Sequence, residues 1–286
     1  MKLMILLIIK LLLMFTYLSK SFTKTINVIS YRRILSLSTS INKDFQEELE
    51  PFKECFKHLN DVQWKQLNQL ACKLYEWNSK VNLISRKDID SLIPNHIIPS
   101  LSISIIKQFT SNEKVIDIGT GGGLPGLPMA IACPNALFTL LDSNGKKIAI
   151  VEDMIQSIGL KNVKTIRARA EDINETFDFM MGRAVSAVPT FLGFSSHFVN
   201  GKSQAKSIQT YQNVTIKSGL LYLKGGDFGE ELNEAKINDY SLFPVKELVP
   251  IDSDKNVLYV PSEQIVSFHN NKIKQLAEAD SKIKKK

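Results

Sequence analysis

The chain runs from an apolar stretch directly into a cluster of glycines: Val115-Ile-Asp-Ile-Gly-Thr-Gly-Gly-Gly-Leu-Pro-Gly126. No other segment limits the possible folds as much. A buried strand that ends on Gly119, Gly121, Gly122 and Gly123 must turn sharply. Glycine takes the positive φ such a turn needs and lets a ligand come close to the main chain. A helical stretch opened by Pro125 or Pro128 follows. Asp142 ends the next apolar run, 23 residues after Gly119. An acid at that place can accept both hydroxyls of a ribose. The combination points to a nucleoside-containing cofactor.

The segments around it repeat the same alternation. Short apolar runs suited to buried strands lie at Lys114–Ile118, Leu137–Leu141, Val163–Arg167, Phe177–Met181 and Leu220–Lys224. Helical compositions separate them at Pro128–Cys133, Lys146–Ile158 and Pro189–Phe198. This pattern predicts an α/β domain, a parallel sheet with helices on both faces. Two further strands, Asn256–Val260 and Gln264–Phe268, are expected to close it as an antiparallel pair about Pro261-Ser262-Glu263. Asn200–Ser218 is polar and reads as a surface loop or frayed helix. Upstream, Val62, Trp64, Leu67, Leu70, Leu74 and Trp77 form one stripe of an amphipathic helix with Asp61 as its N-cap. Ile89–Phe109, broken by Pro94 and Pro99, reads as two or three short helices. The expected organisation is a leader over 1–43, a helical region over 44–110, a catalytic domain over 111–270 and a Lys-rich, partly helical, disordered tail over 271–286.

Two frames compete for the glycines. Residues 121–126 match G-x-G-x-x-G, the dinucleotide fingerprint, but the match is displaced from the strand end. Counted from Gly119, the sixth position is Leu124, and Pro125 stands where that motif starts a regular helix. The frame D-x-G-x-G-x-G from Asp117 to Gly123 is instead the loop of methyltransferases that use S-adenosylmethionine. An NAD-dependent oxidoreductase is the weaker reading.

With those residues in view the chain resembles the ribosomal RNA small subunit methyltransferase G family, also called the glucose-inhibited division protein B family. The resemblance spans roughly Leu67 to Phe268. It is carried by Asp117-Ile-Gly-Thr-Gly-Gly-Gly-Leu-Pro-Gly-Leu-Pro128, Leu140-Leu-Asp-Ser143 and Gly145-Lys-Lys147. Trp77-Asn78, Asn82-Leu83, Gly159-Leu-Lys-Asn-Val163, Arg169-Ala-Glu-Asp172, Gly182-Arg-Ala184 and Leu223-Lys-Gly-Gly226 complete the series. It implies a class I, Rossmann-like methyltransferase fold with a mostly parallel seven-stranded sheet and an N-terminal helical extension. It also implies N7-methylation of one guanosine in 16S-type ribosomal RNA, with S-adenosyl-L-methionine as donor and the small-subunit RNA or assembling subunit as partner. Carried over residue by residue, Gly119, Gly121, Gly123, Leu124 and Asp142 line the cofactor pocket. Ala170 and Glu171 flank the adenine, and Arg183 sits beside the cofactor. A methyltransferase of proteins or small molecules on the same fold, or a non-catalytic assembly factor, are the alternatives.

Guanine N7 has a lone pair and no proton, so this chemistry needs no general base. The sequence shows no triad or acid pair, and no residue is assigned as a chemical catalyst. The family's His-x-x-Asp-Ser-Leu reads here His96-Ile-Ile-Pro99-Ser100-Leu101. The acid's role is therefore vacant, or taken by Asp88 or Asp90. His96 is as readily an interior residue as a site member. Three dispersed cysteines (Cys55, Cys72, Cys133) and four scattered histidines fit neither a disulfide framework nor a metal site.

The net charge of +7 belongs to the ends of the chain. Met1–Leu18 is nearly all apolar and suits a secretory-type leader rather than a span. Ser21–Lys43 is basic, hydroxyl-rich and free of acid, which is transit-peptide composition. Signal-like then transit-like order, with Phe22 after the cleavage site, points to a plastid of secondary origin; a mitochondrion is the alternative. Once the leader is removed no membrane partner is expected. Seven of the 36 basic residues lie in Met1–Lys43, which leaves 29 against 29 acidic ones. RNA contact must then rest on local clusters such as Lys146-Lys147 and Lys161, Lys164, Arg167 and Arg169.

Overall fold

Alternation along the strands sorts their side chains into two cores, and that sorting sets the layers of the molecule. The computed structural model describes residues 43–199, 201 and 208–283. Residues 1–42, 200, 202–207 and the last three lysines lie outside the described residues. The strands are β1 (Lys114–Ile118), β2 (Leu137–Asp142), β3 (Val163–Arg167), β4 (Phe179–Arg183), β5 (Gln209–Tyr211), β6 (Val214–Ile216), β7 (Gly219–Gly225), β8 (Ser241–Pro244) and β9 (Lys255–Pro261). Seven form one sheet in the order β3-β2-β1-β4-β7-β9-β8. The pairs from β3 across to β7 are parallel, and β9 runs antiparallel to both β7 and β8.

The main helices are α1 (Asp61–Asn78), α2 (Gly126–Ala132), α3 (Gly145–Ile158), α4 (Val188–Ser195), α5 (Gly229–Glu234) and α6 (Ser262–Ile283). On one face Val115, Phe138, Leu140, Phe179 and Met181 share a buried cluster with α2, α3 and the N-terminal helices. On the other, Ile116, Ile118, Leu141, Met180 and Tyr222 pack with residues of α4, α5 and α6. Successive strand residues point to opposite faces, so each strand serves both cores. The fold is the class I, Rossmann-like α/β architecture.

The N-terminal helices are tied to the sheet domain by specific bonds as well as by a shared core. The N-cap of α1 is Asn60, not Asp61: its side chain accepts from Gln63 N while the Gln63 side chain accepts from Asn60 N. Asparagine and aspartate cap equally well, so adjacent candidates cannot be ranked from sequence. The Gln63 Nε2 also donates to Ile131 O and Ala132 O at the end of α2. After α1, Asn78 Oδ1 accepts from Leu83 N and Ile84 N. That turn sets Leu83 against the glycine loop, where a Cβ on Gly122 would come 3.2 Å from Leu83 Cβ. The segment Ile89–Phe109 folds into short helical turns, with a π-helical turn over Ile93–Ile97.

Five expectations need correction. Gln264–Phe268 is not a strand but part of α6. Ile265 is fully buried and Phe268 packs on the second core. His269 and Lys272 reach Ser196 and the Gly193 carbonyl, so the inward positions recur at three- and four-residue steps. A five-residue apolar run does not distinguish the two periods. The strand that pairs with β9 on its outer side is β8, which precedes it, while β7 pairs with its inner side. The tail is helical to Ile283, so residue 271 is no boundary. Finally, the polar loop holds a β5–β6 hairpin, turned by Gln212 and Asn213 at φ +46° and +66°. β4 also starts two residues later than expected, because Phe177 N bonds Phe198 O instead of a neighbouring strand.

Candidate cofactor and active site

Strand order reverses between β1 and β4, and the expected site residues lie where those strands end. Such a switch point leaves a crevice at the carboxyl edge of a parallel sheet. From β1 the chain turns at once: Gly119 N and Thr120 N both donate to Leu141 O of β2. Gly123 N and Leu124 N then return to Thr120 O. Gly119, Gly121 and Gly123 hold φ of +68°, +57° and +86°. At Gly123 a Cβ would lie 2.4 Å from Leu127 Cδ1, so the turn leaves no room there for a side chain. At Gly121 the nearest atom to an added Cβ is Gly119 O, at 3.9 Å, so the space above this residue is open.

Asp142 holds the open part of the loop. Its Oδ2 accepts from Gly121 N at 3.0 Å and its Oδ1 from Asn144 N at 2.8 Å. Each carboxylate oxygen keeps a further lone pair for a ligand hydroxyl. Asn144 caps α3 by accepting from Lys146 N and Lys147 N. Five expected residues, Gly119, Gly121, Gly123, Leu124 and Asp142, are thus brought together by direct bonds. Ala170 and Glu171 sit on a 3-10 turn after β3, the first buried and the second exposed. They share the carboxyl edge through the Asp142–Arg167 register, with no direct bond to the loop.

Beneath the loop lies a residue the sequence reading quoted without assigning it a site. Asp117 is fully buried. Its Oδ2 accepts from Thr120 Oγ1 at 2.6 Å and from Gly126 N at 2.9 Å, joining the turn to the start of α2. Its Oδ1 is buried with no hydrogen-bond partner. Burial pushes the carboxyl up to about 6, opposed by the bonds from Thr120 and Gly126 and by the charge of Arg183. The leading acid of the D-x-G frame was the available signal. Its task became visible only when residue 126 was seen to lie against it.

Arg183 ends β4, and Ala184 after it takes φ +51°, a left-handed conformation that residues other than glycine seldom adopt. The next backbone is pinned by one phenol: Tyr222 Oη donates to Ser186 O and accepts from Val185 N and Ser186 N. Val185 in turn packs on Gly119, whose Cβ would lie 3.0 Å from Val185 Cγ2. The Arg183 Nη1 donates to His96 Nδ1 at 2.9 Å. Burial lowers the guanidinium to about 10, while the charges of Asp117 and Asp88 hold it up. Asp88, not Asp90, therefore acts on this arginine; Pro99 is fully buried and brings no acid. Burial, with Arg183 and Lys255 nearby, pushes His96 down to about 3. Among the described residues no group of His, Cys, Asp and Glu is placed to hold a metal ion.

A family model described as rRNA small subunit methyltransferase G matches residues 63–236, more than half of the 286. The ribosomal RNA small subunit methyltransferase G of Christiangramia forsetii is 39% identical over 216 residues, covering 74% of this chain and 97% of that protein. The chain belongs to the rRNA small subunit methyltransferase G family. The family protein of Cytophaga hutchinsonii is 38% identical over 218 residues, covering 75% of this chain and all of that one. A solved S-adenosylmethionine-dependent methyltransferase from Aquifex aeolicus has a TM-score of 0.40 at 17% identity, over 61% of this chain and 94% of that one.

The family's cofactor is S-adenosyl-L-methionine, and the residues present fit it. The open space over Gly121 and the half-buried Asp142 suit a nucleoside. Asp117, with its orphaned Oδ1, and the half-buried cation of Arg183 suit an amino-acid zwitterion.

Proposed function

We propose that this protein methylates N7 of one guanosine in the 16S-type small-subunit ribosomal RNA of an organelle, the plastid. When bound, S-adenosyl-L-methionine supplies an electrophilic methyl group on a sulfonium. In this reading Gly119, Gly121, Gly123, Leu124 and Asp142 hold the nucleoside end, with Ala170 and Glu171 flanking the adenine. Arg183 orients the cofactor or the incoming nucleotide. The relatives named for ribosomal RNA, matched over nearly their whole length, support the substrate class.

One observation carries the choice of atom. The histidine at this edge has no basicity to offer: its Nδ1 lone pair is taken by Arg183 and its pKa lies near 3. Asp117 is buried beneath the loop with its Oδ2 occupied. With both of these groups engaged, the site suits an acceptor that already has a free lone pair. Guanine N7 is such an atom; an exocyclic amine or a ribose hydroxyl must lose a proton. The rate then comes from aligning N7, methyl carbon and sulfur in a water-poor crevice.

The test is nucleoside mass spectrometry of organelle small-subunit RNA after depletion of this protein, and of unmodified RNA after incubation with it. Loss and gain of 7-methylguanosine are expected. An unchanged 7-methylguanosine signal, or methyl on ribose or an exocyclic amine, refutes the reading. A fluorescent fusion of residues 1–60 checks the compartment; mitochondrial fluorescence would exclude the plastid.

A further inference from the structure

Arg183 presents an uncommon arrangement for a half-buried cation. Among the described residues the only side-chain hydrogen bond of Arg183 is to the His96 ring, and no carboxylate lies within ion-pair distance of its guanidinium. We propose that His96 is a positioning residue for methyl transfer, whose imidazole fixes the Arg183 guanidinium at the carboxyl edge by accepting at Nδ1. This rests on the reaction proposed above.

The tautomer follows from the partner. A guanidinium can only donate, so Nδ1 carries no proton and the ring proton sits on Nε2. That nitrogen is buried and has no partner among the described residues. Leaving a buried donor unmatched opposes folding, so stability alone does not account for the ring. Its low basicity protects the arrangement, since an imidazolium could not accept from Arg183. The charges that act on His96 are those of Arg183 on β4 and Lys255 on β9, and both disfavour a second proton.

The choice of a neutral partner has a consequence for charge. A carboxylate at ion-pair distance would orient the guanidinium and also cancel its field. An imidazole orients it and leaves the positive charge available to an anionic group, the cofactor's carboxylate or a phosphate of the RNA. Asp117 and Asp88 act on it only at longer range. The backbone that carries Arg183 is already fixed by Ala184 and the Tyr222 latch. What remains free is the direction of a long side chain, and the π-helical turn Ile93–Ile97 places His96 to set it.

Two measurements on the full chain test this. In 15N NMR of the histidine rings, His96 should show an unprotonated, hydrogen-bonded Nδ1 and a protonated Nε2, with no titration from about pH 5.5 to 8. A titration near 6.5, or the opposite tautomer, overturns the proposal whatever the reaction turns out to be. In single-turnover methyl transfer, His96→Ala should slow the reaction about tenfold to a hundredfold, the value of one hydrogen bond to a charged group. His96→Asn, which keeps an acceptor near the Nδ1 position, should recover most of the rate. Arg183→Ala with His96→Ala should be no slower than Arg183→Ala alone, at matched melting temperatures. Independent losses in the double variant, or Asn as slow as Ala, overturn it. If the alanine variant does not fold, the asparagine variant and the NMR experiment decide. Should the wild-type protein methylate no RNA, the functional reading fails and the tautomer measurement still judges this one.

Discussion

Asp117 shows how one residue can be legible in the sequence while its work is not. The acid before the glycines marks the loop type, and that much is local. The buried bonds to Thr120 and Gly126 arise because residue 126 comes so close that a Cβ there would lie 2.7 Å from Asp117 Oδ2. The same burial has a measurable cost. Its pKa is raised from 3.8 to about 6, so between those values the folded chain keeps a proton that the unfolded chain has released. Stability contributed by this residue therefore falls as pH rises through that window. His96 has the opposite sign: lowered from 6.5 to about 3, it makes the fold lose stability as pH falls through that range. Asp117→Asn keeps an oxygen acceptor and removes the titration. Relative to wild type it should gain on the order of 3 kcal/mol between pH 4 and pH 7. Urea midpoints at three pH values check this, and a pH-independent difference would exclude it.

At the scale of elements, the strands of the alternating strand–helix units were readable and the short runs near the C-terminus were not. β1 and β3 have the expected ends. Gln264–Phe268 joined a helix because Ile265 and Phe268 face one core, a fact about neighbours rather than composition. The α1 cap is the element most open to test. Gln63→Ala removes the capping box and two bonds to α2 carbonyls, and should cost about 2–3 kcal/mol. Denaturant unfolding measures it; a change below about 0.5 kcal/mol would mean these bonds do not tie the helix to the sheet. The glycine loop makes a second case. Gly121→Val places a β-branched residue at φ +57° in space that no protein atom fills. The strain should cost about 1–3 kcal/mol of stability, while cofactor binding is lost. Calorimetry with S-adenosylmethionine reads this directly, and wild-type affinity would contradict the loop assignment.

For the whole molecule, the relevant unit is Asp44–Lys286, which is compact by itself. Its helical prelude and sheet domain share one buried cluster, so the boundary placed at residue 110 separates chain regions rather than cores. The basic excess lies elsewhere, in the seven cations of Met1–Lys43. A chain beginning at Asp44 should fold with an unchanged melting temperature and bind S-adenosylmethionine as the full chain does. A loss of more than about tenfold in affinity, roughly 1.4 kcal/mol, would show that the leader supports the site. The sequence by itself determined the parallel strands of the sheet, the glycine loop and the cofactor class, because backbone turns and strand–helix alternation are written in consecutive residues. Only the tertiary structure decided that His96, from a short helical turn, would meet Arg183, 87 positions further along the chain. It also decided that Asp117 would be left with an unmatched oxygen. Such pairings follow from the packing of distant elements and the water it excludes, which no local pattern encodes.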